Sequence, residues 1–329
     1  MIPKASELNR GALSRWSLLM GLMFLAFTAA PRTIIAMEGG VSHTIPGANA
    51  TLVDLPPVAP GWFIKPMYLH YSGSASARVP IPTAAGVVGN LHATVNTFAL
   101  GGGYTFEPTI LGGAHYTLAA FLPYTWVDAS ANVVTPLGAV RKHNSVSGFG
   151  DLTVVPMMLA WKIGDWQLDT LVPIYAPIGS YEKGRLGNTG LNYWTFDPMA
   201  GVSYLNKKIG FNAMLHFGYA MNTENPDTNY RSGSLLHFDA ALQQVLPVGP
   251  GFLTVGVEGF YFKQVTGDSG SGATLGDFKG MTAGVGPVLG YILPFGKQSL
   301  AAELKWLPEL DTKKRLEGDY IWAKMVFKF

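Results

Sequence analysis

The sequence contains no cysteine and few charged residues. Without cysteine it can form no disulfide framework, no thiolate metal site and no cysteine nucleophile. Charged residues make up 13% of the chain, against about 25% in ordinary soluble domains, whereas hydrophobic residues make up 48%. A chain with so little charge must bury much of its apolar surface or present it to lipid.

The sequence also lacks a long apolar run after residue 30. Residues 16–30 form an uncharged, mostly apolar run that follows three basic residues and is too short to cross a bilayer as a helix. This pattern predicts a cleavable signal peptide at 1–36, cut after Ala36, and therefore an exported protein; an uncleaved amino-terminal anchor is the alternative. Beyond it, no uncharged apolar run approaches the ~18 residues of a transmembrane helix.

A basic excess is absent as well. Removal of residues 1–36 leaves 19 basic and 20 acidic residues, so the net charge changes from +2 to −1. Nucleic-acid binding therefore has no electrostatic basis here. Of the seven histidines, His216 and His237 could share a face on neighbouring strands, but no carboxylate is securely placed to complete a metal site. We predict no metal and no cofactor.

What the sequence does contain is alternation, and the clearest case is the segment 319–329. One set of side chains is wholly apolar, and the other carries charge: Ile321, Ala323, Met325, Phe327 and Phe329 oppose Tyr320, Trp322, Lys324, Val326 and Lys328. A strand has a side-chain period of two, so this segment has one apolar face. A barrel in an outer membrane requires such a strand, because its outer face meets lipid.

Twelve apolar segments with turn signals between them follow residue 60. They fall near 61–72, 92–104, 114–127, 149–162, 165–177, 192–205, 209–221, 235–247, 251–264, 281–293, 298–310 and 319–329. Short connections alternate with long ones at 73–91, 128–148, 178–191, 222–234, 265–280 and 311–318. This rhythm predicts an all-β fold, a transmembrane antiparallel up-and-down β-barrel of 12 strands with short periplasmic turns and long external loops. A soluble β-sandwich is the alternative.

Three regions follow from this division of the chain. Residues 1–36 are the predicted signal peptide, and 61–329 are the predicted outer-membrane β-barrel. Residues 37–60 contain too many proline and glycine residues for a ladder or a helix. We expect them to form an irregular segment, either in the periplasm or inside the lumen.

Strand parity predicts which residues face the lumen. The polar face must point inward, because charge on the lipid face costs about 2–4 kcal/mol at mid-bilayer. The predicted channel-lining residues are Phe98, Phe121, Asp151, Met157, Asp169, Asp197, Met199, Met214, His216, His237, Asp239, Glu258, Phe260, Phe262, Lys305 and Lys324. This mixture of charged, aromatic and thioether groups favours a narrow channel for small, weakly polar molecules. A lumen packed with side chains is the structural alternative.

Two residues of the sequence are compatible with an enzyme rather than a channel. Asp239 and His237 lie two residues apart on one predicted face, so Asp239 could orient His237 as a base. A barrel enzyme acting on lipids, of the phospholipase or deacylase type, is therefore the alternative function. The sequence lacks the Gly-x-Ser-x-Gly pattern of a nucleophile elbow, however, and no serine is compellingly placed. We predict that the protein is not an enzyme and has no catalytic residues.

Several short sequence motifs resemble those of one bacterial outer-membrane family. They are Glu38-Gly-Gly-x-Ser-x-x-x-Pro-Gly47, Pro56-Pro-x-x-Pro-Gly61, Tyr68-Leu-His-Tyr71, Gly148-Phe-Gly-Asp151, Ala176-Pro-Ile-Gly-Ser-Tyr181 and the loop 222–233. In this order they are similar to the family labelled MetA pathway of phenol degradation, over essentially all of 38–329. The resemblance implies a twelve-stranded barrel with a rather hydrophobic channel, shaped by the amino-terminal segment and the long loops. It carries over no catalytic residues.

Together these patterns and the resemblance predict a monomeric channel in the Gram-negative outer membrane for passive uptake of small hydrophobic or aromatic molecules destined for catabolism. The expected partners are those solutes, outer-membrane lipid and lipopolysaccharide. The barrel-assembly machinery is a further expected partner, through the carboxyl-terminal strand that ends at Phe329. Nucleic acid is not expected as a partner.

Overall fold

The protein is described by a computed structural model that covers residues 41–76, 81–83, 86–135, 138–273 and 279–329. The predicted signal peptide at 1–36 and residues 37–40 of the irregular segment lie outside the described residues. In the described part of the chain, no helix is long and apolar enough to cross a membrane.

The described residues form sixteen strand segments. They are β1 (Gly61–Ser74), β2 (Ile81–Thr83), β3 (Gly86–Thr105), β4 (His115–Thr135), β5 (Gly138–Phe149), β6 (Leu152–Ile163), β7 (Trp166–Leu171), β8 (Ile174–Ala176), β9 (Thr195–Phe196), β10 (Met199–Asn206), β11 (Phe211–Asn222), β12 (Leu235–Val248), β13 (Gly251–Gln264), β14 (Met281–Phe295), β15 (Gln298–Lys313) and β16 (Glu317–Lys328).

These segments form a closed antiparallel barrel of twelve strands, as predicted. β5 and β6 are successive parts of one strand, since both pair with β4. β7 and β8 are likewise parts of one strand, and β9 and β10 of another, whereas β2 only pairs with β3 beside the barrel. The barrel closes where β1 pairs with β16, from Phe63 opposite Lys328 to Ser74 opposite Glu317.

Two prolines explain the interrupted strands. Pro173 lies between β7 and β8, and Pro198 lies between β9 and β10. Proline has no backbone N–H to donate to a ladder, so the strand pairing breaks at these positions. The two breaks lie side by side in the wall, where the Asp197 backbone N–H donates to the Pro173 carbonyl at 3.0 Å.

Tight turns join the strands at one end of the barrel. Four of them contain a glycine with positive φ, at Gly164 (60°), Gly210 (73°), Gly249 (59°) and Gly296 (64°). Glycine adopts this left-handed conformation without the steric penalty of a Cβ atom, and such turns match the twist of a hairpin. This end corresponds to the periplasmic side of an outer-membrane barrel.

At the opposite end, strands replace part of the predicted loops. The predicted loop at 128–148 is largely a paired hairpin of β4 and β5, and the one at 311–318 shrinks to residues 314–316 between β15 and β16. Spanning a membrane takes about 9–11 strand residues, whereas β3 has 20 and β4 has 21. These strands therefore continue beyond the lipid on the external side, which the lengths of the apolar segments did not reveal.

Side chains alternate between lipid and lumen along each strand. Five tryptophans are about half exposed on the outer face: Trp62, Trp126, Trp166, Trp194 and Trp306. This is the aromatic girdle expected at the membrane interfaces. The buried core of the protein lies inside the barrel, where side chains of the wall pack against each other and against residues 41–60.

Candidate functional site

The amino-terminal segment 41–60, called the plug below, lies inside the lumen. Its Asp54 carboxylate is fully buried and contacts three lysines of the wall, with Nζ–Oδ distances of 2.8 Å to Lys65, 2.9 Å to Lys305 and 2.8 Å to Lys324. Burial alone would raise the pKa of Asp54, but these three ammonium groups hold it well below its usual value. Asp54 therefore stays ionised and fastens the plug to β1, β15 and β16.

Further polar contacts hold the plug to β12, to β15 and to the residue before Pro198. The Thr44 hydroxyl donates to Asp197 at 2.8 Å, and the Gly47 backbone N–H donates to Asp239 at 2.9 Å. The Thr51 hydroxyl donates to Glu303 at 2.9 Å. Buried carboxylates need such partners, because an unpaired buried charge is strongly destabilising. The plug is thus bonded to the wall around its circumference.

Three histidine–aspartate pairs complete the polar part of the lumen. His43 Nε2 lies 2.8 Å from Asp151 Oδ2, and His216 Nε2 lies 2.8 Å from Asp169 Oδ1. His237 pairs with Asp197 at 2.8 Å, rather than with Asp239 as the enzymatic alternative required. The described residues contain no group of three or more side chains that could hold a metal ion.

Most of the predicted channel-lining residues point inward but contact other side chains rather than open space. This set comprises Asp169, Asp197, Met199, Met214, His237, Asp239, Glu258, Phe260, Phe262, Lys305 and Lys324, all of them buried. On this side of the barrel the lumen is filled, which matches the packed alternative. Only Phe121, Asp151 and His216 of the predicted set line the open cavity.

Two of the predictions are wrong, because Phe98 and Met157 face outward and are 44% and 38% exposed. At Met157 the cause is a β-bulge between β4 and β6, which pairs Thr117 with Met158 but Ala119 with Val155. The extra residue shifts the phase, so that Met158 points inward instead. Phe98 shares a face with the polar residues Thr94 and Asn96, and that face of β3 is the outer one.

An open cavity of about 390 Å³, called the chamber below, runs beside the plug from the external end of the lumen down to Lys65 and Met158. The plug lines it with residues such as Ile45, Pro46 and Asp54, and β1, β3, β4 and β6 to β8 form much of its wall. Its lining is mainly apolar and includes Leu69, Leu91, Val95, Val127, Leu186 and Trp322. The predicted set contains none of these residues, and the rule that polar faces point inward excluded Val95 on β3.

The wall of the chamber has polar residues on its outer face. On β3, Leu91, Ala93 and Val95 line the chamber, whereas the outward positions between and beside them are His92, Thr94 and Asn96. On β4, Val127 and Ala129 line it, and the outward neighbours are Asp128 and Ser130. Since these strands project beyond the membrane, water replaces lipid on the outside, and the apolar face turns to the inside.

Comparison with known proteins gives a family and a fold. A family model described as the putative MetA-pathway of phenol degradation matches residues 76–325. The chain is similar to the crystal structure of an outer membrane channel from Pseudomonas putida F1, with 19% identity and a TM-score of 0.60, over 87% of this chain and 100% of that chain. None of the curated proteins matches it. The likeness to the Pseudomonas channel shows a shared barrel fold.

Two autotransporter barrels are also similar, but more weakly. They are the β domain of the Bordetella autotransporter BrkA, with 12% identity and a TM-score of 0.44 over 82% of this chain and 100% of that chain, and the transport unit of AIDA-I from Escherichia coli, with 12% identity and a TM-score of 0.43 over 86% and 94%.

Proposed function

The chain belongs to the family described as the putative MetA-pathway of phenol degradation, and on that premise we propose that it is a channel for passive uptake of small hydrophobic or aromatic molecules. The protein is an outer-membrane β-barrel of the Gram-negative type. Its cargo, in this proposal, is a compound that the cell degrades. No chemical step and no cofactor is part of the function.

The chamber is the observation that carries this proposal. Its volume of about 390 Å³ exceeds the roughly 150 Å³ in which a protein cavity can hold benzene, so a substituted ring has room. The mainly apolar lining extends to Leu91 and Ala129, beyond the membrane, and gives such a molecule a favourable environment at the level where polar headgroups and sugars surround the barrel. The solute enters among the external loops and collects in the chamber.

The plug shares the lumen with the chamber. Its residues, Asp54 among them, line the chamber, and Asp54 is fastened to Lys305 and Lys324. In this proposal, passage along the barrel axis requires displacement of residues 41–60. We propose that the plug makes the channel selective, since a water-filled pore would also admit ions and sugars.

Two other features of the chain stay predictions within this proposal. The amino-terminal residues 1–36 act as a cleaved signal peptide, so the mature protein comprises the segment 37–60 and the barrel 61–329. The last strand, β16, pairs with β1 and is followed by Phe329, and it is the part that the barrel-assembly machinery binds. The protein acts as a monomer, surrounded by lipid and lipopolysaccharide.

Filling the chamber tests the function. Ala129 lines the chamber and is 1% exposed, whereas Ala120 lies on the same strand and faces outward. We expect Ala129→Trp to reduce uptake of labelled toluene or phenol by cells at limiting external concentration at least tenfold, while Ala120→Trp leaves uptake unchanged. Equal uptake by cells with and without the wild-type protein would refute the proposal.

A further inference from the structure

The hairpin between β15 and β16 carries an arginine into the chamber. Lys314 has a left-handed backbone conformation, with φ at 61°, and the short turn that it opens folds back toward the barrel. As a result Arg315 is only 9% exposed and Leu316 only 2% exposed, and both line the chamber. A charged side chain in an apolar cavity requires an explanation.

The nearest carboxylate, Glu309, is already satisfied by other donors. Its Oε2 accepts from the Gly318 backbone N–H at 2.7 Å and from the Tyr71 hydroxyl at 3.1 Å. Its Oε1 accepts from the Thr282 hydroxyl at 2.9 Å and from the Tyr320 hydroxyl at 3.3 Å. Four neutral donors thus stabilise the Glu309 charge without a direct hydrogen bond from Arg315.

The guanidinium of Arg315, by contrast, makes one hydrogen bond to the residues that the structure describes. Its Nη2 donates to the Tyr320 hydroxyl at 3.0 Å and lies 3.7 Å from Glu309 Oε1, which is beyond hydrogen-bonding distance. Its buried Nε has no hydrogen-bond partner among the described residues. In a structural ion pair, the guanidinium and the carboxylate lie in one plane and form two parallel hydrogen bonds. Arg315 and Glu309 do not have this arrangement.

We propose that Arg315 binds the carboxylate of an aromatic acid that enters the chamber. The planar fork of the guanidinium matches a carboxylate, and the apolar walls formed by Leu91, Leu186 and Trp322 accept the ring. The preferred solutes are then small aromatic monocarboxylates, with uncharged aromatic compounds as weaker ligands. This inference rests on the proposed function, because it names the solute class of the same chamber.

Binding of matched ligands to the purified, detergent-solubilised protein tests the inference. Benzoate, benzamide and toluene present the same ring with a charged, a polar and an apolar substituent. We expect the wild-type protein to bind benzoate at least tenfold more tightly than benzamide by isothermal titration. Equal affinities for benzoate and benzamide would overturn the inference, and this measurement needs no variant that must fold.

Variants of the same hairpin then assign the effect to one side chain. Arg315→Gln is expected to weaken benzoate binding at least tenfold and toluene binding less than twofold, and Arg315→Lys to give an intermediate loss. Lys313→Gln is the control, because Lys313 is exposed and lies 3.7 Å from Asp311 at the surface. Benzoate binding that survives Arg315→Gln would overturn the inference. A wild-type protein that takes up neither toluene nor benzoate would refute the proposed function itself.

Discussion

The same strands line the two ends of the lumen with opposite chemistry. Toward the tight turns, β1 and β16 contribute Lys65 and Lys324, which bind the plug through Asp54. Further toward the external end, the inward side chains are Leu69, four residues after Lys65 on β1, and Trp322, two residues before Lys324 on β16, and both line the chamber. All four side chains point inward, because each pair is an even number of residues apart on its strand.

The difference arises outside the barrel rather than inside it. Within the membrane the outer face must be apolar, so polar residues are left for the lumen, where the plug neutralises them. Beyond the membrane the outer face meets water, and His92, Thr94 and Asp128 occupy it. The apolar residues of the same strands then face inward. Whether lipid or water surrounds the barrel at a given level therefore determines whether the lumen is polar or apolar there.

The strongest test of the polar end is removal of the plug's charge. Asp54→Ala leaves Lys65, Lys305 and Lys324 without their shared carboxylate, and loss of one partner of a buried ion pair costs about 3–5 kcal/mol. We expect the plug to detach, which would appear as a large rise in single-channel conductance in planar bilayers. Asp165→Asn, in an exposed turn, is the control. Unchanged conductance of Asp54→Ala would show that the ion pairs do not retain the plug.

The boundary between the two levels can be tested on the outer face of β3. Leu100 is 54% exposed at the lipid level, and we expect Leu100→Arg to lower the free energy of unfolding by about 2–4 kcal/mol. His92, on the same face further out, should tolerate His92→Arg within about 0.5 kcal/mol, because it meets water. Denaturant unfolding in lipid vesicles measures both. Equal losses would place His92 in the membrane and contradict the comparison.

The third prediction concerns a charged side chain placed in the apolar lining of the chamber. Ala129→Asp places a carboxylate in the mainly apolar lining, so we expect roughly tenfold lower affinity for toluene, equivalent to about 1.4 kcal/mol. Ser145→Asp, on the exposed outer face of β5, is the matched control. Toluene binding measured by titration decides the outcome, and full affinity in Ala129→Asp would argue against an apolar binding chamber.

The smallest effect is expected from mild acid. The pKa of Asp54 is lower in the folded protein than in the unfolded chain, so its stabilisation is fully present above its ordinary pKa and is lost as the pH falls through the lower folded value. We therefore expect equal conductance at pH 7 and pH 5. Release of the plug by pH 5 would mean that another group controls it.

The sequence predicted the barrel well because the relevant signals are local. Alternation over short segments located all twelve strands, and glycines such as Gly164 and Gly249 mark the tight turns directly. A side-chain period of two and the left-handed preference of glycine both operate within a few residues. No knowledge of distant parts of the chain was needed.

The site was less predictable, because its features depend on distant contacts or on the membrane boundary. The bulge that turns Met157 outward is a property of two paired strands and leaves no mark in either one alone. Phe98 was misplaced because sequence parity does not state where lipid ends. Asp54 lies in a proline-rich segment, and nothing near it in sequence indicates a partner such as Lys305.

The plug also has a consequence for biogenesis. Asp54 precedes every strand of the barrel, yet its partners Lys305 and Lys324 are separated from it by 251 and 270 positions and belong to the last two strands. The plug can therefore form these ion pairs only after β15 and β16 have been synthesised and inserted. Sealing of the pore and completion of the wall become a single final event, so an unfinished barrel is also a leaky one.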